Sequence, residues 1–388
     1  AFKDMALQML PRLMTRAVKK TKMDKEVLIL VATSGDTGKA ALEGFCGVEG
    51  TQVGVFYPVD GVSPAQKLQM ITQEGKNVHV CAVEGNFDDA QTGVKRIFGD
   101  EGFAGELSGK GIVLSSANSI NWGRLAPQVA YYFSAYADLI KSGAVEMGDE
   151  VNFCVPTGNF GNILAAYYAK RMGLPVGRLI CASNENNVLY DFICQGVYDA
   201  NRPFHKTTSP SMDILISSNL ERLLFELCGR DQERVAQWMQ ALKTGGVYAV
   251  GEEVRAELAR SFDAGWAGDE KALQAIARVQ KSFGYTMDPH TAVAWAVAEE
   301  YRARTKDARP MVVVSTASPY KFSRSVLGAL TGEAAVQELD EFACADELER
   351  VSGLTMPDSL RALRTKKQLH TGVVQPKDMM DEVRRWTE

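Results

Sequence analysis

The residues able to do chemistry gather at the ends of apolar runs. Residues 27–32 lead into Thr33-Ser34-Gly35-Asp36-Thr37-Gly38, followed by a helical pattern from Lys39. Small residues and hydroxyls ahead of a helix make a cradle for an anion, because backbone N–H groups and the positive end of the dipole point into it. A nucleotide P-loop requires G-x-x-x-x-G-K-[ST]. Gly38 and Lys39 match, but Thr33 replaces the first glycine and Ala40 replaces the metal-binding hydroxyl. A carboxylate is the better ligand here, and a plain βα turn is the other reading. Residues 151–155 lead into Pro156-Thr157-Gly158-Asn159-Phe160-Gly161-Asn162 and a helical stretch over 163–171. Gly158 and Gly161 allow close backbone approach, and the helix start suits a phosphate. The dinucleotide pattern G-x-G-x-x-G is absent, since Asn159 and Phe160 separate the glycines.

Two further strand ends and the opening segment carry reactive groups. After residues 112–115 come Ser116-Ala117-Asn118-Ser119-Ile120-Asn121-Trp122-Gly123-Arg124. Arginine grips phosphate bidentately while serine and asparagine add neutral donors; a polar helix cap with a surface arginine is the alternative. After 311–314 come Ser315-Thr316-Ala317-Ser318-Pro319-Tyr320-Lys321-Phe322. A hydroxyl there can bond a heterocycle nitrogen. Lys321 reads as an exposed helix lysine, with catalysis or phosphate binding as the other possibility. At the opening, Asp4 suits a helix N-terminus and puts Lys3 at a helix edge beside Phe2. Taken alone, such a lysine reads as solvated surface. His79, His205, His290 and His370 have no metal-ligand spacing, which argues against zinc; each reads as structural or exposed.

Positioning these loops requires strands. The runs 27–32, 52–57, 78–83, 112–115, 151–155, 178–182 and 311–315 are mostly continuous and apolar. Such runs predict parallel strands covered on both faces. Helical segments separate most of them; Ser63-Pro64 reads as N-cap and first helical residue, and Gly75 as that helix's stop. The order predicts doubly wound α/β layers with ligands at the strands' carboxyl ends. Residues 214–304 read as a mainly helical, charged excursion, and 361–388 as a surface helix or tail.

Composition narrows the class. A chain of 388 residues predicts two or three domains. The 43 basic and 48 acidic residues leave a net charge of −5, which points to neither nucleic acid nor anionic membrane. Seven scattered cysteines without C-x-x-C read as reduced core residues of a cytoplasmic protein. No apolar run approaches the ~20 residues of a membrane span, and no signal peptide is evident.

Taken in order, these segments resemble the threonine synthase family, pyridoxal-phosphate enzymes of fold type II. The resemblance runs from residue 1 to about 330 and rests on Ala1-Phe2-Lys3-Asp4, the 33–38 loop, residues 116–124, residues 156–162, Asp288-Pro289-His290-Thr291-Ala292-Val293 and Ser315-Thr316-Ala317. Each is weak alone; their order makes the set specific. The resemblance implies a tryptophan synthase β-like fold of two open, mostly parallel sheets flanked by helices. It implies a large-domain segment over 1–24, a small α/β domain over 25–123 and a large cofactor-binding domain over 124–388, with the helical insertion at about 214–304 and the active site in the cleft between domains.

It also implies roles. Lys3 would be the Schiff-base lysine and the proton-moving base. Gly158, Asn159, Phe160, Gly161 and Asn162 would hold the cofactor phosphate, Thr316 the pyridine nitrogen, and Asp36 would face the ring hydroxyl. Thr33, Ser34, Gly35 and Thr37 would hold the substrate carboxylate, and Asn118, Ser119 and Arg124 its phosphate. The implied reaction is a carbon–oxygen lyase step converting O-phospho-L-homoserine and water to L-threonine and phosphate. A related phospholyase giving 2-oxobutyrate, and an inactive fragment of the parent enzyme, are the alternatives. No metal is implied, and the chain would be a monomer or weak homodimer. Two departures stand out. Ser318-Pro319-Tyr320 replaces the family's common His-Pro-Ala, and the chain opens at the lysine, as though truncated at its N-terminus.

Overall fold

The apolar runs form two parallel sheets. The structure is a computed structural model that describes residues 2–33, 35–59, 62–119 and 121–388, apart from the side chain of Asp88. It divides into two units. The first comprises Ala1–Pro127, Asp340–Glu349 and Thr355–Glu388; the second comprises Gln128–Leu339 and Arg350–Leu354. Numbered along the chain, the strands are β1 (Glu26–Ala32), β2 (Thr51–Pro58), β3 (Val78–Val83), β4 (Ile112–Ser116), β5 (Val151–Pro156), β6 (Val176–Ser183), β7 (Val197–Asp199), β8 (Val247–Ala249), β9 (Phe262–Trp266), β10 (Met311–Val313) and β11 (Val373–Val374).

In the first unit the order is β11-β3-β2-β1-β4, parallel throughout. Alternate residues of β1 serve two cores. Val27, Ile29 and Val31 pack with Leu7, Leu10, Leu42 and Phe45 on one face. Leu28, Leu30 and Ala32 pack with Ile97, Phe103, Met379 and Val383 on the other. A strand buried on both sides has no polar face, hence its unbroken apolar run. Each fully buried leucine or isoleucine contributes about 1.5–3 kcal/mol. In the second unit the order is β10-β5-β6-β9, again parallel, beside an antiparallel pair, β7 and β8.

All seven expected strands form, with ends shifted by no more than about two residues. Three departures have physical causes. Ser63 caps the helix Pro64–Ile71 in a reciprocal box with Gln66, as expected, but the helix stops short of Gly75. The Ile71 carbonyl accepts from the Leu369 and His370 N–H groups instead (2.8 and 3.1 Å). Within 214–304, β9 lies at the edge of the second sheet, where no strand was expected. Residues 361–388 are more than a surface tail. β11 joins β3, and the helix Met379–Trp386 buries Met379 and Val383 and stacks Trp386 on Phe56, with ring centroids 4.8 Å apart.

Candidate active site

In the first unit, the helix Phe2–Thr21 carries Lys3 and Asp4 in its first turn. Lys3 is half-buried, its Nζ 5.8 Å from the Phe2 ring centroid. This helix packs on the helices Asp36–Phe45 and Trp122–Leu125. Glycines make the approach possible: a Cβ on Gly44 would overlap the Leu7 carbonyl, and one on Gly123 would lie 2.7 Å from Leu10. Both partner helices begin in the loops picked out by sequence. β1 and β4 are neighbours, so those loops leave the sheet side by side.

The 33–37 loop is organised by its threonine. Thr33 is buried, and its Oγ1 accepts from the Gly35 and Gly38 N–H groups, both at 3.0 Å. That leaves its O–H hydrogen to offer an anion. Gly35 has φ +142°, and a Cβ there would lie 2.5 Å from the Gln66 side chain. Gln66 Nε2 donates to Asp36 Oδ1 (3.1 Å), and both residues are buried. Thr37 is half-buried. Ser34, like Ala1 and Ile120 of the quoted motifs, lies outside the described residues. Lys39 turns to Glu43 (2.6 Å) and Gln73 (2.7 Å), so it does not act as a P-loop lysine would.

At the end of β4, Ser116 Oγ accepts from the Asn118 N–H (3.1 Å), and Asn121 caps the short helix through the Gly123 N–H (3.0 Å). Arg124 is not a surface arginine. It is 3% exposed, and its Nη1 donates to the Ala117 carbonyl (2.6 Å). Asn118 and Ser119 are half-buried. Asn118 Oδ1 has no hydrogen-bond partner among the described residues.

In the second unit, β5 ends in the 157–162 turn and the helix Gly161–Arg171. Phe160 precedes that helix in the left-handed region, φ +62°, and is fully buried against Phe262. A non-glycine residue held there is strained backbone fixed by its surroundings. Ser217 Oγ donates to the Gly158 carbonyl (2.8 Å). The Asn219 backbone N–H and Nδ2 both donate to the Asn159 carbonyl, at 3.2 and 2.9 Å. A Cβ on Gly158 would lie 2.7 Å from the Ser211 carbonyl oxygen. The Asn159 side chain is exposed, and Gly161 opens the helix.

Asn162 is 6% exposed. The Tyr132 hydroxyl lies 2.7 Å from its Oδ1 and 3.0 Å from its carbonyl oxygen and donates to this pair. Its amide Nδ2 is buried with no hydrogen-bond partner among the described residues. Complete burial pushes the Tyr132 phenol well above its usual range, so it stays a donor. The turn thus offers helix-start N–H groups and an unused amide donor, which together fit a phosphate.

β10 pairs with β5, and Thr316, three residues past the end of β10, is buried. Ser318 caps the following 3-10 turn through the Tyr320 N–H (3.3 Å), and the Tyr320 hydroxyl donates to the Leu354 carbonyl. Lys321 is 7% exposed, contrary to the exposed lysine expected from sequence, because its turn packs inward with Pro319, Tyr320 and Phe322. Cys154 and Cys181 lie in the sheet with thiols pushed up by burial, Cys181 to about 12, and are chemically quiet. Among the described residues no cluster of ligands could hold a metal ion, and no helix is long and apolar enough to cross a membrane.

The sequence reading assigned no part in the 157–162 turn to the residues packed behind it: Ser211, Ser217 and Asn219, with the Asp288–His290 pair behind Ser211. The available signal was polar side chains set among Pro210, Met212, Ile214 and Leu220, where an unbonded polar group would be costly.

Comparison with known proteins is consistent with this geometry. A family described as pyridoxal-phosphate dependent enzyme matches residues 1–317, and one described as threonine synthase, C-terminal, matches residues 291–374. Human threonine synthase-like 1 is 41% identical over 95% of this chain, which spans 49% of that protein, about half its length. Threonine synthase of Pseudomonas aeruginosa is 44% identical over 86% of this chain and 68% of its own. The structure of threonine synthase from Brucella melitensis with pyridoxal phosphate bound superimposes with a TM-score of 0.85 at 39% identity, covering 100% of this chain and 76% of that one. The expected fold type II architecture is borne out, and the chain belongs to the pyridoxal-phosphate dependent enzymes and, among them, to the threonine synthases.

Proposed function

We propose that this chain carries the machinery of a pyridoxal-phosphate dependent threonine synthase, converting O-phospho-L-homoserine and water to L-threonine and phosphate. The 157–162 turn carries the reading, with its helix start and buried Asn162 Nδ2. When bound, the cofactor draws electrons away from the substrate carbon joined to it, chemistry that no side chain here supplies.

Residues 158–162 would hold its phosphate, Thr316 would bond its ring nitrogen, and Asp36, already oriented by Gln66, would face its ring hydroxyl. Lys3 would hold its aldehyde carbon and then move protons at the substrate's carbons through Nζ. Thr33, Ser34, Gly35 and Thr37 would receive the substrate carboxylate, with the Thr33 hydroxyl and helix-start N–H groups as donors. Asn118, Ser119 and Arg124 would grip the substrate phosphate; a buried guanidinium is well suited to that because it is weakly hydrated and always charged. The reading extends to a cytoplasmic enzyme working on a small molecule as a monomer or weak homodimer.

The test is to load the chain with pyridoxal phosphate, record its absorbance and add O-phosphohomoserine. The expected result is a bound-cofactor band, threonine and phosphate, with turnover abolished by Lys3→Ala. Release of 2-oxobutyrate in place of threonine would move the reading to the phospholyase. Full turnover in Lys3→Ala would overturn the assignment of the lysine.

A further inference from the structure

His290 sits at the head of the helix Pro289–Thr305, 2% exposed, its ring 5.0 Å from that of Phe322 and tilted 59° to it. Its partners define its state. Asp288 Oδ1 lies 2.8 Å from His290 Nδ1 and accepts from the His290 backbone N–H at 3.0 Å. The other carboxylate oxygen of Asp288 accepts from the Thr291 hydroxyl, which lies 3.3 Å from the hydroxyl of Ser315, next to Thr316. Nδ1 faces a carboxylate acceptor and so carries a ring proton, while Nε2 faces a backbone donor and so keeps its lone pair. That lone pair accepts from the Ser211 backbone N–H at 3.2 Å.

Ser211 is the middle residue of the 3-10 turn Pro210–Met212. This turn lies directly against the glycine of the phosphate cradle: the Ser211 carbonyl oxygen and Met212 Cα would stand 2.7 and 3.2 Å from a Cβ on Gly158. The turn therefore forms the wall behind Gly158. Asn184 and Thr207 tie down its flanking residues, Ser209 and Asp213, and the imidazole holds its middle through the Ser211 N–H.

We propose that His290, kept as the Nδ1–H tautomer by Asp288, is a positioning residue that fixes the Pro210–Met212 turn and thereby shapes the cofactor-phosphate cradle, linking it to the Thr316 strand end. The inference rests on the cofactor reading above and adds to it a residue outside the loops assigned to cofactor and substrate. The decisive feature is an acceptor at the Nε2 position. Glutamine can place its Oε1 there; asparagine is one bond shorter and cannot reach Ser211.

The experiment titrates the purified chain and its His290→Gln and His290→Asn variants with pyridoxal phosphate and, separately, with pyridoxal, which lacks the phosphate. His290→Asn is expected to bind pyridoxal phosphate about tenfold more weakly, the size of one lost buried hydrogen bond, and to bind pyridoxal as the unaltered chain does. His290→Gln is expected to bind both normally. Equal weakening of the two ligands, or a glutamine variant as impaired as the asparagine one, would overturn the proposal. Amide hydrogen exchange adds a readout independent of any ligand. Ser211 should exchange slowly in the unaltered and glutamine chains and fast in the asparagine chain. An unchanged Ser211 rate in His290→Asn would overturn the proposal even if the variant binds poorly. If the unaltered chain binds pyridoxal phosphate no better than pyridoxal, the cradle reading itself fails, a different result from failure of the histidine's role.

Discussion

Gly44→Ala tests whether helix packing sets the position of Lys3. Gly44 lies where the helix Asp36–Phe45 meets the helix Phe2–Thr21, and an added Cβ would lie 2.8 Å from the Leu7 carbonyl carbon and overlap its oxygen. Carbon atoms pack comfortably at about 3.5–4.0 Å, so the two backbones must part by about 1 Å. Overpacking of this kind costs about 1–3 kcal/mol, and the better helix propensity of alanine returns about 1 kcal/mol. The net loss of stability is therefore about 0–2 kcal/mol. Leu7 lies roughly 6 Å along the helix axis from Lys3, so the shift reaches the amine. Misplacing a reacting group by about 1 Å costs about 100-fold in rate. Turnover of O-phosphohomoserine should fall about 100-fold, while urea unfolding reports no more than about 2 kcal/mol lost. Gly105→Ala is the control: it lies in the helix Glu101–Gly109, with no atom within 4 Å of an added Cβ. It should gain about 0.5–1 kcal/mol and keep its turnover. Normal turnover in Gly44→Ala, or a loss fully accounted for by the unfolded fraction, would refute the reasoning.

Two further perturbations follow from single contacts. Tyr132→Phe removes the hydroxyl that holds Asn162 and should weaken pyridoxal phosphate about 3–10-fold in equilibrium titration, with pyridoxal unaffected; equal weakening of both would place the effect elsewhere. His79 stacks on Trp386 at 5.3 Å, and burial, followed by the nearby His370, lowers its imidazole from 6.5 to about 4. The folded unit favours the neutral ring, so this contribution to stability is complete above pH 6.5 and is lost as the pH falls toward 4. Discounted for partial exposure, it amounts to about 1–2 kcal/mol. His79→Gln should flatten urea stability over that window, and an unchanged slope would remove His79 as the cause.

How much was legible in the sequence depended on whether a signal was local. β1 announced itself because both its faces are buried, so Val27 to Ala32 contain no polar residue. β9 did not: Phe262-Asp263-Ala264-Gly265-Trp266 is short, carries a charge and a glycine, and sits between charged helices. β11 is two residues long and exists only because β3 offers it an edge. The loops proposed to hold anions were visible because a helix start and its small residues are contiguous in sequence. Their supports were not. The Gly158 carbonyl finds its donor at Ser217, and the wall behind Gly158 is held from His290, more than 100 residues away. Exposure was also hidden: Lys321 looks like a surface cation until the turn that carries it folds inward.

The return of the C-terminal segment to the first sheet has a consequence for the order of events on the ribosome. β4 is made long before β11 and the helix Met379–Trp386. At roughly 5–20 residues per second, that interval lasts on the order of ten seconds to a minute. Throughout it, the β3 edge and the face of Phe56 lack the segment that later covers them, while all of Gln128–Leu339 emerges from the exit tunnel. The nascent first unit therefore spends most of its synthesis with an open parallel edge, the condition under which strands find wrong partners. Holdase chaperones that bind extended apolar chain should engage this unit until β11 and the helix Met379–Trp386 arrive.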